Sequence, residues 1–322
     1  MARAARPPGL LLLLALGASR ALAPAPALAL LLSPWFSVAS RACALAPRAT
    51  VPLRVEASQF LVAVTVDGRE ATFKLDTGAA RSLVTPEAAR RLDLPRDPWV
   101  GATVWGVGGI ERASVAAPRS LSLAGVPLRQ RGPTGEAALA VGPLAAPPGG
   151  GPPVDGLLGR DLLSTFDVEL DPPAHRMTLW DVSGCAGRFL PWRGPYDAIA
   201  PLAGYGDALA LPALANGESL RALPDTGATD TMLGAPGVIR LGLTGPGVPT
   251  GTVRGVGTRA RPAWTTRLSS LRVGNQTERD VPVLATRLRF YPVVDMLLGA
   301  DWFRTRRVWL SYATKQVFVA EG

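Results

Sequence analysis

Two tetrapeptides, Asp76-Thr77-Gly78-Ala79 and Asp225-Thr226-Gly227-Ala228, give one chain two copies of the same acid-bearing turn. Two carboxylates brought close together cannot both ionise cheaply, so one proton is shared and the apparent pKa values of the pair separate. The charged member of such a pair can take a proton from water while the protonated member polarises a carbonyl. That is enough to hydrolyse an amide without a metal or a nucleophilic side chain. A glycine after the acid fits this chemistry, because a tight turn beside a carboxylate needs the backbone to come close. A single Asp-Thr-Gly is by contrast an ordinary side-chain-capped turn, and it arises by chance in roughly a few per cent of chains of this length.

Register separates the two readings. Gly68 and Gly217, Asp76 and Asp225, and Gly106 and Gly255 all lie 149 residues apart, which aligns Thr103-Val104-Trp105-Gly106-Val107-Gly108 with Thr252-Val253-Arg254-Gly255-Val256-Gly257. Further on, Asp155 and Asp295, Asp161 and Asp301, and Met177 and Val317 lie 140 apart. The chain is therefore an internal duplication, with nine extra residues in the first half. The Gly/Pro-rich stretch Gly142 to Pro153 is where they are expected.

At these residues the chain resembles the retropepsin-type aspartic peptidases, with two lobes fused in one polypeptide. The match covers most of residues 55 to 320. The resemblance implies an all-β fold of two pseudo-symmetric, retropepsin-like β-barrel lobes with short helices, and a monomer that acts as a pseudo-dimer. It implies Asp76 and Asp225 as the catalytic pair, with Thr77, Gly78, Thr226 and Gly227 fixing the turns. Leu157-Leu158-Gly159 and Leu297-Leu298-Gly299 would pack beneath them. Trp105 and Gly106 would lie in a hairpin flap over the substrate, with Gly255 in its counterpart, while Ala79 and Ala228 leave room for a substrate backbone. No cofactor and no metal is implied, and the partner is a polypeptide. Some residues depart from the pattern. Pro224 stands before Asp225 and removes a backbone donor there. Arg160 follows the first Leu-Leu-Gly where Ala300 follows the second, and the motifs continue differently, as Ala80-Arg81 and Thr229-Asp230.

The elements needed to hold the acids are legible locally. Phe60 to Val66 reads as a strand, Asp67-Gly68 as a hairpin turn, and Ala71 to Leu75 as a strand that ends at Asp76. Thr85-Pro86 followed by good helix formers predicts a short helix ending near Asp93. Trp105 to Gly109 reads as a glycine-rich hairpin, with a plain surface turn as the alternative. Strand pattern continues at Ser120 to Leu123, Leu271 to Val273, Met177 to Trp180 and Gln316 to Val319, and a helical turn is expected from Asp161 to Phe166. Residues 184 to 204 read as the connection between lobes. The domain reading is 1–42 as an export signal or N-terminal anchor, 50–190 as the first lobe and 196–322 as the second.

Composition narrows the function further. With 322 residues and 48% hydrophobic content the chain buries one large core or two modest ones, and the repeat favours two. Its net charge is +9, yet Lys74 and Lys315 are its lysines and the arginines are scattered. This gives no stripe for nucleic acid, and a solvated basic surface is expected. The basic start Met1 to Arg6 and the run Leu10 to Leu16 have the form of an export signal, with cleavage after Ala39 or Ala42. A second run, Ala27 to Leu32, leaves open an uncleaved anchor that would associate the protein with a membrane.

Cys43 and Cys185 are the two cysteines and His175 the single histidine, too few for a zinc site of the usual ligand set, and they argue against Cys/His or Ser/His catalysis. In an oxidising compartment the cysteines either pair or remain free. Asn275-Gln276-Thr277 fits a glycosylation acceptor. Trp99, Trp105, Trp192 and Trp264 line a pocket or pack in the core. The leading expectation is an exported aspartic endopeptidase. The alternative is a peptide-binding module that keeps the fold without catalysis; a structural protein of the envelope would leave the matched motifs unexplained.

Overall fold

The computed structural model describes residues 42–321, except 108, 132–134, 147–152, 244–248, 250 and 258; the side chains of 97–100 and 111 also lie outside the description. All but one residue of the expected signal or anchor, residues 1–42, falls outside it, as do the middle of the Gly142 to Pro153 stretch and the side chain of Trp99.

Among the described residues the strands form three sheets. In the first half, Gln59–Val66 turns through Asp67-Gly68 into Arg69–Leu75. Both turn residues have positive φ, 49° and 79°, the geometry that two-residue hairpins favour and that Asp-Gly supplies. Asn216-Gly217 repeats it in the second half, with φ of 52° and 86°, between Leu211–Ala215 and Glu218–Pro224. In both halves the second strand of the hairpin then pairs in parallel with the Leu-Leu-Gly strand, Gly156–Leu158 or Met296–Leu298.

The second-half sheet closes on itself, because Leu211–Ala215 pairs with Glu218–Pro224 on one side and with Arg261–Val273 on the other. The first-half sheet is larger and shows no closing pair among the described residues. Thr85 caps the short helix Pro86–Arg91 by accepting from Ala88 N at 3.1 Å. Its repeat, Ala235–Arg240, begins at Gly234 without a side-chain cap.

The third sheet is built from both halves. Its order is Ala44–Pro52, Arg176–Ser183, Asp167–Asp171, Arg306–Ser311, Gln316–Glu321 and Asp197–Ile199. Strands near the end of each half thus join the lobes, through Asp167–Asp171 against Arg306–Ser311. Residues 184 to 204 are more than a connection. They contribute the strand Asp197–Ile199, and Phe189, Trp192 and Tyr196 pack against Trp309 and Phe318 of the shared sheet. The buried carboxylate of Glu169 accepts from Trp180, Trp192 and Arg307, so its charge is matched inside the cluster.

The expectation of two separate cores needs correction. The largest apolar cluster runs through both halves, with Phe60 edge-on to Phe303 at 6.3 Å. Strands from both halves meet in the shared sheet, so apolar side chains of the two halves join in one cluster. Trp192 and Trp264 are core residues, whereas Trp105 is half exposed.

Cys43 and Cys185 are joined in a disulfide across 142 residues. It ties the start of the described chain to the end of the first half. Closing so long a loop restricts the unfolded chain, so the Cys43→Ser/Cys185→Ser double variant is expected to lose about 2–5 kcal/mol of stability in urea unfolding. An unchanged midpoint would show that the shared sheet alone holds this edge.

Candidate active site

Each Asp-Thr-Gly turn hangs from the end of a hairpin strand and is anchored by the strand beneath it. Asp76 N donates to Leu158 O at 3.0 Å, and Asp225 N to Leu298 O at 2.9 Å. Leu158 and Leu298 are fully buried, so these bonds are shielded from competing water. Pro224 leaves this anchor intact. The donor that positions the acid is Asp225 N, and the proline contributes its carbonyl instead.

That carbonyl belongs to a reciprocal set of bonds between the turns. Thr77 N donates to Thr226 Oγ1 and Thr226 N to Thr77 Oγ1, both at 3.1 Å. Thr77 Oγ1 then donates to Pro224 O, and Thr226 Oγ1 to Leu75 O, both at 2.9 Å. Both threonines are buried, so an unmatched donor or acceptor here would carry the full cost of desolvation. The two halves are therefore locked together directly behind the acids.

The glycines show how close the acids come. A Cβ added to Gly78 would lie 2.3 Å from Asp225 Cγ, and one added to Gly227 would lie 2.2 Å from Asp76 Cγ. Each carboxyl thus rests on the opposite turn, at a distance no side chain would permit. Asp76 Oδ1 accepts from Ala79 N at 2.8 Å, and Asp225 Oδ1 accepts from Gly227 N and Ala228 N at 2.9 and 3.2 Å. Burial first, and then the Asp76 carboxylate beside it, push Asp225 up to about 7, against opposing pulls from Lys74 and the Gly227 N–H. A pair in which one member keeps its proton while the other is charged can act as acid and base together.

A second set of supports repeats in both halves. Ser82 Oγ donates to Asp161 Oδ1 at 2.6 Å and accepts from Gly159 N at 2.9 Å. Thr231 Oγ1 donates to Asp301 Oδ1 at 2.8 Å and accepts from Gly299 N at 3.2 Å. Burial raises the pKa of both Asp161 and Asp301 in spite of these bonds. Ser82 and Thr231 share the offset of 149, and Asp161 and Asp301 that of 140. The register identifies these pairs, although the motif does not include them. Arg160 adds an asymmetric support, with its guanidinium donating to Gly78 O at 2.6 Å; Ala300 offers only its backbone N, to Ala228 O at 2.8 Å.

The two glycine-rich hairpins touch each other. Gly106 lies so close to Val256 that an added Cβ would come within 2.4 Å of its carbonyl, and Gly255 faces Val107. Trp105 stacks on Tyr291 of the second half with centroids 4.8 Å apart, and Val256 pairs with Leu144 of the first.

The raised pKa of Asp225 has a definite sign. The folded protein holds this proton above the ordinary carboxylate value of 3.8. The contribution is complete below that value and is lost as pH climbs through the folded pKa. The Asp225→Asn variant is therefore expected to gain stability relative to wild type between about pH 4 and about pH 7 in urea unfolding. A difference that stays flat across this interval would refute the raised pKa.

The aspartyl protease family model matches residues 62–162 and 211–302, more than half of the chain and one segment in each repeat. A search of curated proteins gives no match. Among solved structures, the chain is similar to an aspartic proteinase from Irpex lacteus at 13% identity and a TM-score of 0.48, over 86% of this chain and 97% of that one. With a repeated match that takes in both Asp-Thr-Gly turns, the chain belongs to the aspartyl protease family.

Proposed function

We propose that the protein is an aspartic endopeptidase in which Asp76 and Asp225 activate one water molecule against a peptide bond. The observation that carries this reading is the placement of each carboxyl on the glycine of the opposite turn. Acids from the two halves then meet where a common water can reach both. The ionised member takes a proton from the water, whose oxygen attacks the scissile carbonyl carbon. The protonated member hydrogen-bonds the carbonyl oxygen as it becomes tetrahedral. Collapse of this intermediate breaks the C–N bond, the leaving nitrogen takes a proton from the pair, and a carboxylic acid and an amine are released.

The substrate is a polypeptide held extended, its backbone paired in strand fashion in the cleft. The Gly106 and Gly255 hairpins must part to admit it. A non-catalytic peptide binder drew its motive from Pro224, and the matched bonds at Asp76 N and Asp225 N remove that motive. The organisation that goes with this reading is a leader, 1–42, and two lobes, 50–190 and 196–322, working as one monomer. The leader's basic and apolar pattern and the disulfide both favour an oxidising, exported location.

Purified protein is expected to cleave unfolded casein, with Asp76→Asn and Asp225→Asn each lowering the rate by at least about a hundredfold. Equal cleavage by all three proteins would remove the pair from the mechanism. Mass spectrometry of the exported protein is expected to give a mature chain beginning at Ser40 or Cys43. An intact Met1 on protein retained in the cytoplasm would contradict the assigned location.

A further inference from the structure

The lobes differ in charge at one position beside the acids. Two residues before Asp76 stands Lys74, and two residues before Asp225 stands Leu223. Residues two apart on an extended chain share a face, and Phe73 and Leu75, the chain neighbours of Lys74, belong to the large core cluster, whereas Leu157 beside Lys74 belongs to another. Lys74 therefore lies on the same face as Asp76. Directly across the ladder on either side of it stand Leu61 and Leu157, both buried.

In the second lobe Leu223 lies beside Leu297. It belongs to an apolar cluster that also takes in Val253 and receives Ala228 and Val107, the latter from the first-lobe hairpin. The corresponding cluster in the first lobe contains Leu157 and Val104 and receives Ala79 and Val256, but nothing from position 74. Where one lobe continues its apolar wall, the other sets an aliphatic stem ending in an ammonium. Lys74 is half-buried. It forms no ion pair with a carboxylate among the described residues, and its charge acts on Asp225 across the lobe boundary.

We propose that Lys74 makes the first-lobe side of the cleft a subsite for an acidic peptide side chain, Asp or Glu, next to the scissile bond. This rests on the peptidase reading for its effect on turnover, but not for its effect on binding. A substrate carboxylate beside Asp76 and Asp225 would otherwise be repelled by the charge they share. An ammonium near the acids offsets that repulsion, and at a half-buried position a charge-assisted hydrogen bond is stronger than the same pair in open water. The second-lobe subsite, with Leu223, takes an apolar side chain.

The test uses matched peptides with Glu, Gln or Leu on each side of a single cleavable bond. In one position, wild type is expected to favour Glu over Gln in kcat/KM by about tenfold or more. Lys74→Met should bring that ratio to about one or below, and Lys74→Arg should retain it. A wild-type ratio near one, or a preference that survives Lys74→Met, overturns the proposal. Binding of the same peptides to Asp225→Asn, with and without Lys74→Met, needs no turnover. A lysine-dependent preference for Glu in binding without cleavage by wild type would keep the subsite and reject the peptidase. Equal binding of Glu and Gln, or no binding of either, would reject the subsite.

Discussion

Two carboxyl groups repel once both are ionised, so a fold that rests Asp76 on Gly227 and Asp225 on Gly78 needs a restraint directly behind them. The reciprocal bonds of Thr77 and Thr226 supply it. Each threonine gives its hydroxyl proton to a strand carbonyl, Pro224 O or Leu75 O, and receives an amide from the other turn. Each hydroxyl thereby both donates and accepts a bond within the protein. The remaining supports are arranged around this point. Leu158 and Leu298 fix the acid backbones, while Ser82 with Asp161 and Thr231 with Asp301 hold the Leu-Leu-Gly strands against the turns.

Symmetry is kept closely in the backbone and loosely in the charges. Asp76 and Asp225 have matched amide partners to within 0.1 Å at the anchoring bond. Yet Lys74 stands where the second half has Leu223, and Arg160 braces Gly78 with no equivalent at Gly227 among the described residues. Backbone hydrogen bonds tolerate little displacement before they fail, whereas side-chain charge can diverge once each half is encoded separately. The two acids therefore sit in similar frames within different fields.

Much of the site was legible because its determinants are local or repeated. Asp67-Gly68 specifies its hairpin by turn chemistry, Thr85-Pro86 specifies a helix start by capping, and the duplicated Asp-Thr-Gly turns mark themselves by register. The shared sheet was not legible. Pairing of Asp167–Asp171 with Arg306–Ser311 joins residues far apart in the chain, and alternation along a strand says which face is buried but not which neighbour covers it. The same blindness made residues 184 to 204 read as a plain connection, although Phe189, Trp192 and Tyr196 were there to be noticed as aromatic anchors. The disulfide was legible as one of two options and no further, since cysteine count alone carries no distance.

The shared sheet also sets how the molecule can be divided. Asp167–Asp171 is an interior strand only because Arg306–Ser311, encoded near the opposite end, lies along it. Bisecting the polypeptide between its repeats would leave that ladder unpaired, as an open edge that invites association with other chains. A gene fragment carrying one Asp-Thr-Gly turn would thus need a second chain along that edge to complete its ladder.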